Sequence, residues 1–217
     1  IDALLEPAKE VGGDLVDYFP VGETRMALIV GDVSDKGAAA ALMMARTHAM
    51  FRALAGRPDA EELFADPARA ASLVNEALAR GNASCMFVTL LVATLEVETG
   101  ALAYVRAGHV PPYLRSADGS VVRLGGMGGP ALGVAEEFPY RAASATLNAG
   151  DRLLVVTDGM TEAQDPAGEL YGEERVGAFL AALGADETRP LRRLADSVRG
   201  FEAGLPAFDD IAALLLT

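Results

Sequence analysis

The sequence predicts an α+β fold in which antiparallel hairpins occupy the middle of the chain and helices come in blocks around them. Strands and helices do not alternate regularly, as they do in proteins built on a parallel sheet. The strands are almost continuously apolar, which is typical of sheets that are covered on both faces. An αββα sandwich, with two mostly antiparallel β-sheets flanked by helices, satisfies these observations, and the 217 residues fit one domain, 1–217.

The first half of the chain is predicted to hold one strand followed by two helices. Residues 26–30 form a short apolar run with strand character. Residues 38–54 are rich in Ala and Met and contain no Gly or Pro, which favours a buried helix. Residues 67–80 begin with a proline and are followed by Gly81, and both are common residues at helix boundaries.

The second half of the chain is predicted to hold hairpins, then two helices and a closing strand. Turn residues at 98–100 (ETG) and at 118–119 (DG) each separate two runs of strand-forming residues. The predicted strands are residues 86–97, 101–107, 111–114, 121–124, 153–157 and 211–216. The predicted helices are residues 173–183 and 189–202.

The charge of the chain excludes two classes of partner. Acidic residues outnumber basic residues 31 to 18, which gives a formal net charge of −13. A domain this acidic is repelled by nucleic acids and by anionic membrane surfaces, so we expect it to contact neither. No apolar run reaches the roughly 18 residues that would span a bilayer.

The cysteine content and the first residues indicate the setting in which the domain works. Cys85 is the only cysteine, so no disulfide can form within the chain, which suits a cytoplasmic location. We expect Cys85 itself to be buried as a small apolar side chain. The chain starts without a secretory leader and without Met, and we expect it to be excised from a longer protein.

Four aspartates stand beside glycines or a second aspartate at the edges of apolar runs, namely Asp14, Asp32, Asp158 and Asp209. Carboxylates at strand ends are well placed to converge at one edge of a sheet, and the neighbouring glycines allow close approach. Converging carboxylates repel each other and need a cation. Oxygen ligands favour Mg²⁺ or Mn²⁺, with Ca²⁺ as an alternative, and there is no Cys/His cluster for zinc.

Each aspartate also has an ordinary structural interpretation. Asp32 also fits the N-cap of the following helix, and Asp209 also fits a turn. The argument for a metal site therefore depends on the four aspartates taken together.

Five short motifs occur in a fixed order along nearly the whole chain. They are residues 11–14 (VGGD), 31–37 (GDVSDKG), 107–112 (AGHVPP), 157–163 (TDGMTEA) and 209–211 (DDI). In this order they resemble the metal-dependent protein phosphatases (the PPM, or protein phosphatase 2C-like, family). Within that family they look like the bacterial branch that includes stage II sporulation protein E and the sigma-factor-regulator phosphatases.

The resemblance implies a serine/threonine phosphatase with two Mn²⁺ or Mg²⁺ ions at one edge of an αββα sandwich. Asp32 would bridge both ions, and Asp32 and Asp158 would be the catalytic residues. Asp158 and Asp209 would hold one ion, while Asp14 and the Val33 carbonyl would hold the other. Paired divalent ions activate a water molecule and orient the phosphate, so the protein itself needs no nucleophile.

The motifs depart from the family pattern at positions that bear on substrate binding. Asp35 stands where Gly is common, which adds a negative charge near an anionic substrate. No clear counterpart exists for the phosphate-binding arginine of eukaryotic members, and Lys9 is the best substitute unless it is a solvated surface charge. His109 is a candidate proton donor to the leaving oxygen, or else a turn histidine bonded to backbone.

The resemblance also implies partners. The expected substrate is a phosphorylated protein, an anti-sigma-factor antagonist domain with one phosphoserine, and an upstream sensor or dimerisation module is expected. An alternative is a catalytically weak phosphatase-like domain that binds a phosphoprotein or relays a signal. A nucleotide-binding doubly wound domain is a further alternative, suggested by the strand, the loop at 31–37 and the helix after it, but the hairpins argue against it.

Overall fold

Two five-stranded sheets pack face to face, and helices cover both outer faces. The computed structural model describes residues 1–126, 128–184 and 187–217. The strands are β1 (Asp2–Glu6), β2 (Leu15–Val21), β3 (Arg25–Val33), β4 (Val88–Glu96), β5 (Ala101–Ala107), β6 (Tyr113–Arg115), β7 (Val121–Arg123), β8 (Ala143–Thr146), β9 (Arg152–Val156) and β10 (Ile211–Leu216). The helices are α1 (Ala38–Ala55), α2 (Ala60–Phe64), α3 (Pro67–Ala79), α4 (Asp158–Thr161), α5 (Gly172–Ala181) and α6 (Pro190–Phe201). The predicted α+β class and αββα sandwich are confirmed.

The two sheets take their strands from different parts of the chain. Sheet 1 has the order β1-β10-β9-β6-β7, and sheet 2 has the order β2-β3-β4-β5-β8. Every pair of neighbouring strands in these two sheets is antiparallel. This topology excludes the doubly wound parallel sheet of a nucleotide-binding domain.

Three apolar layers hold the sandwich together. Phe51 and Phe64 belong to the layer between α1–α3 and sheet 2. Leu91 and Leu153 belong to the layer between the sheets. Val198 belongs to the layer between sheet 1 and the helices α4–α6. Both faces of each sheet are therefore covered, which explains why the strands read as nearly continuous apolar runs.

The sequence did not predict three strands (β1, β2 and β8) and two short helices (α2 and α4), and it ended the strand at residues 26–30 too early. In β2, Asp17 and Pro20 interrupt the apolar pattern. The Asp17 carboxylate accepts hydrogen bonds from the Arg52 guanidinium, with both nitrogen–oxygen distances at 2.6 Å. Its Oδ2 also lies 2.7 Å from Nε2 of His48. The negative charge of Asp17, which is unusual within a strand, is therefore neutralised by Arg52 of α1.

Two expectations drawn from composition concern Cys85 and membranes. Cys85 is exposed, so the expectation that it is buried was wrong. The residue lies in a turn before β4, with φ at 54° and its N–H donating to the carbonyl of Asn82 at 3.1 Å. None of the helices that the structure describes is long and apolar enough to cross a membrane.

Candidate metal centre

The ends of four strands meet at one edge of the sandwich, and each carries one of the four aspartates. Asp14 directly precedes β2, and Asp32 is the second-last residue of β3. Asp158 begins α4, just after β9, and Asp209 lies just before β10. Because β2 and β3 are antiparallel neighbours, as are β9 and β10, the start of one strand lies beside the end of the other.

Asp14 is the most deeply buried of the four, with 2% of its surface exposed. Its Oδ2 accepts a hydrogen bond from the hydroxyl of Thr157 at 2.8 Å, which joins the edges of the two sheets. Burial, and after it the negative charge of Asp32, raises the pKa of Asp14. An ionised Asp14 is therefore unfavourable unless a positive charge comes close.

The remaining aspartates interact electrostatically with one another. Burial raises the pKa of Asp32, a hydrogen bond with Asp14 opposes this shift, and the charges of Asp158, Asp209 and Asp210 add to it. Burial and the charge of Asp209 raise the pKa of Asp158. Like charges shift one another's pKa only over short distances, so the predicted aspartates form one cluster.

Glu162 belongs to the same acidic surface, although the sequence analysis gave it no role. It follows α4 directly and is exposed. Loss of hydration and the charges of Asp158 and Asp209 raise the pKa of Glu162. The sequence signal that could have identified Glu162 is its position in the TDGMTEA motif, four residues after Asp158.

Lys36 neutralises part of this cluster. Its Nζ lies 3.0 Å from Oδ2 of Asp209 and 4.5 Å from the centroid of the Phe208 ring, and it donates a hydrogen bond to the Phe208 carbonyl. The other oxygen of Asp209 accepts a hydrogen bond from the N–H of Asp210 at 2.9 Å. Across residues 1–126, 128–184 and 187–217, no three His, Cys, Asp or Glu side chains converge at metal-ligand spacing. Asp209 is paired with Lys36 instead.

Asp210 binds the segment that carries Asp14. Its two carboxylate oxygens accept hydrogen bonds from the N–H groups of Ala8 and Gly13, each at 2.7 Å. A Cβ atom on Gly12 would lie 2.3 Å from Oδ2 of Asp210, and one on Gly159 would lie 1.9 Å from the Asp210 carbonyl oxygen. Glycines beside Asp14 and Asp158 are therefore required by the close approach of Asp210.

The Val33 carbonyl lies next to the Asp14 segment. A Cβ atom on Gly13 would stand 3.3 Å from the Val33 oxygen, tighter than an ordinary van der Waals contact. Helix α1 begins after Gly37 and has no side-chain cap, so Asp32 is not its N-cap. The interpretation of Asp32 as a capping residue is excluded.

Lys9 and His109, the two candidate substrate contacts, differ in their surroundings. Lys9 is exposed and follows Ala8, whose N–H is bound by Asp210. His109 is buried, its Nδ1 lies 2.9 Å from the Val110 carbonyl, and its Nε2 has no partner among the described residues. Burial lowers the pKa of His109 to about 4, so the ring is neutral at pH 7 and is a poor proton donor.

The donor set that the sequence predicts for this edge would suit a hard divalent cation. It has four carboxylates and one backbone carbonyl, with no thiolate or imidazole, and such oxygen ligands favour Mg²⁺ or Mn²⁺. The pKa values of Asp14, Asp32 and Asp158 are raised, so their ionised forms need a nearby positive charge. A cation would stabilise the ionised carboxylates that burial and mutual repulsion disfavour.

Comparison with known families decides the classification. Residues 22–217 match the family model described as stage II sporulation protein E (SpoIIE). The chain belongs to the SpoIIE family. The likeness to that branch, which the five sequence motifs indicated, is thereby confirmed.

Known relatives and a solved structure place the SpoIIE domain in context. The chain is 28% identical to protein IcfG of Synechocystis, and the match covers 99% of this chain and 37% of IcfG. It is 25% identical to phosphoserine phosphatase RsbU of Bacillus subtilis over 78% of its length, which is 49% of RsbU. A structure of the RsbU and RsbW domains of Rv1364c from Mycobacterium tuberculosis has 27% identity and a TM-score of 0.76, and the match covers 98% of this chain and 58% of that one. The chain spans less than half the length of either curated relative.

Asp35 stands where the family resemblance predicts Gly, and its backbone has a conformation that suits Gly. Its φ is 81°, in the left-handed region that glycine adopts most easily. The side chain compensates in part, because its Oδ1 accepts a hydrogen bond from the N–H of Lys36 at 2.8 Å.

Replacing Asp35 with Ala is expected to lower the free energy of unfolding by about 1 kcal/mol, because Ala keeps the cost of a left-handed backbone and loses the hydrogen bond. Asp35→Gly is expected to be more stable than Asp35→Ala, since glycine adopts this conformation without strain. Urea unfolding of the three proteins measures the difference. Equal stability of the Ala and Gly variants would contradict the prediction.

Proposed function

We propose that this domain is a Mn²⁺- or Mg²⁺-dependent protein phosphatase that hydrolyses phosphoserine or phosphothreonine. The observation that carries the proposal is that four aspartates from both sheets lie at one edge of the sandwich, where burial and neighbouring negative charges raise the pKa values of Asp14, Asp32 and Asp158. Membership in the SpoIIE family and the likeness to a phosphoserine phosphatase support the same reaction.

The proposed ligand assignment follows the motifs. Asp32 would bridge two ions, Asp158 and Asp209 would hold one of them, and Asp14 with the Val33 carbonyl would hold the other. When bound, the ions supply charge stabilisation for the phosphoryl oxygens and acidify a water molecule. The chain's own contribution is to hold the carboxylates at one edge and to keep Asp14 away from bulk water.

Two cations, the Lys36 ammonium and a divalent metal ion, would compete for the Asp209 carboxylate. Its carboxylate pairs with the ammonium of Lys36, so a divalent ion bound at Asp209 competes with Lys36. Once displaced, Lys36 is a positive charge beside the place where an anionic phosphate would bind. Lys36 is therefore a better-supported substrate contact than Lys9, and His109 is not carried into the proposed mechanism.

Replacing Lys36 with Met is expected to tighten Mn²⁺ binding up to about fivefold, because an exposed ion pair of this kind is worth at most about 1 kcal/mol. The same change is expected to raise KM for a phosphopeptide, since a cation near the phosphate is lost. Isothermal titration calorimetry and steady-state kinetics measure the two effects. Lys9→Met is the control for the loss of one charge, and an equal response of the two variants would refute the role of Lys36.

The proposed substrate is a phosphorylated anti-sigma-factor antagonist domain. Support comes from the family and from the Rv1364c structure, which contains RsbU and RsbW domains. Since the matched relatives are more than twice as long as the aligned segment, we also propose that residues 1–217 act as one phosphatase domain together with an upstream sensor or dimerisation module.

A second candidate function is binding of a phosphoprotein without turnover. The Lys36–Asp209 ion pair favours it, because this pair occupies a carboxylate that the metal-dependent reaction needs. Release of inorganic phosphate from a phosphoserine peptide, with Mn²⁺ and with a chelator, separates the two functions. Turnover that depends on Mn²⁺ supports the phosphatase, and tight binding of the peptide without turnover supports the binding module.

A further inference from the structure

Asp14 is held in place by the opposite sheet. Its own strand, β2, belongs to sheet 2, but the hydroxyl that bonds its carboxylate comes from Thr157, which directly follows β9 in sheet 1. Both residues are buried, so water does not compete for this hydrogen bond. The orientation of Asp14 thus depends on a residue outside the four-aspartate cluster.

A third residue also bonds the Thr157 hydroxyl. The N–H of Ala212, in β10, donates to Oγ1 of Thr157 at 3.0 Å. The hydroxyl proton of Thr157 has two acceptors within reach, Asp14 at 2.8 Å and the Ala212 carbonyl at 3.4 Å. The shorter distance, to Asp14, gives the better hydrogen bond. Thr157 therefore donates to Asp14 and holds its carboxylate in one orientation.

Asp210 acts on the same segment through the backbone. By accepting the N–H groups of Ala8 and Gly13, it fixes the chain immediately before Asp14 against the start of β10. Gly12 makes this approach possible, because any side chain there would collide with the Asp210 carboxylate. The backbone of the segment and the side chain of Asp14 are thus both held from sheet 1.

We propose that Thr157 and Asp210 are positioning residues that dock residues 8–14 onto sheet 1 and orient the Asp14 carboxylate for cation binding. The inference rests on the proposed metal-dependent function, which it extends to residues that touch neither metal nor substrate. Side chains that orient a metal ligand in this way typically change metal affinity 10- to 100-fold when they are removed.

The first test compares Thr157→Val, which keeps the shape but removes the hydroxyl, with Thr157→Ser, which keeps the hydroxyl. Calorimetric titration of the metal-stripped proteins with Mn²⁺ is expected to give a Kd about tenfold weaker for the Val variant and within about twofold of wild type for the Ser variant. Thr94→Val is the matched control, because this buried hydroxyl has no hydrogen-bond partner among the described residues. Its Kd should equal that of wild type.

The second test needs no metal. Asp210→Asn turns one acceptor oxygen into a donor amide, so one of the two backbone hydrogen bonds is lost. Hydrogen exchange followed by mass spectrometry is expected to show about tenfold faster exchange in the peptide covering residues 7–14. The peptide covering α6 should exchange as in wild type.

The outcomes separate this inference from the proposed function. A folded Thr157→Val protein that binds Mn²⁺ as wild type does, unchanged exchange in Asp210→Asn, or a wild-type protein that binds no Mn²⁺ would each overturn it. Should Thr157→Val fail to fold, Asp210→Asn decides through its exchange rates and its Mn²⁺ Kd. A third outcome is that the variants show the expected changes in Kd and exchange while wild type releases no phosphate. This outcome upholds the positioning roles and refutes only the phosphatase.

Discussion

Asp32→Ala is expected to reduce Mn²⁺-dependent release of phosphate from a phosphoserine peptide by about three orders of magnitude. Asp32 lies at the centre of the cluster, since the charges of Asp158, Asp209 and Asp210 all act on it. If Asp32 bridges the ions as proposed, its loss removes several kcal/mol of charge stabilisation from the transition state, and about 4 kcal/mol corresponds to a thousandfold in rate. Asp158→Ala is expected to have a similar effect.

The control for this prediction is Asp196→Ala, which removes an exposed aspartate of α6 that pairs only with Arg192 among the described residues. It should leave the rate unchanged. The measurement is steady-state phosphate release in metal-scrubbed buffer with added Mn²⁺, and a chelator should abolish the activity of wild type. Full activity of Asp32→Ala under these conditions would refute the assignment of Asp32 as a bridging ligand.

Saturating Mn²⁺ is expected to raise the melting temperature by roughly 5–11 °C over the chelated protein. A ligand that binds only the folded form at a hundredfold excess over Kd stabilises it by about 2.7 kcal/mol. For a domain of this size each kcal/mol shifts the melting temperature by about 2–4 °C. Asp32→Asn should blunt the rise, and it should raise the melting temperature of the chelated protein at pH 8, because one half-buried repelling charge is removed.

Thermal melts with metal and with chelator measure this effect. Glu98→Gln, in an exposed turn between β4 and β5, is the matched loss of one negative charge and should respond to Mn²⁺ as wild type does. An identical response of wild type and Asp32→Asn would mean that the aspartates do not share a cation.

The location of the candidate site could be predicted from the sequence because its main residues carry local signals. Asp14, Asp158 and Asp209 each stand beside a glycine or a second aspartate, and each lies next to an apolar run. Local patterns of this kind indicate strand ends, and antiparallel strands bring their ends to common edges. Family resemblance then supplied the roles that pattern alone left open.

The contacts that organise the site could not be predicted, because they join distant parts of the chain. The bond between Asp210 and the N–H of Gly13 spans 197 residues, and the bond between Thr157 and Asp14 spans 143. The pairing of Lys36 with Asp209 is of the same kind. Strand β2 was missed for this reason too, since the residues that neutralise Asp17 belong to α1.

The hydrogen bonds that Asp210 accepts from Ala8 and Gly13 have a consequence for the newly made protein. Asp14 emerges from the ribosome before Thr157 and Asp210, which hold it in the folded domain. Until the residues around β10 are made, β1 has no strand partner, and Asp210 cannot hold the segment before Asp14. Contacts this far apart in sequence form slowly and late. The four aspartates therefore cannot come together until β10 and the residues before it have been made, and a message that stops short of them yields a chain without the complete candidate site.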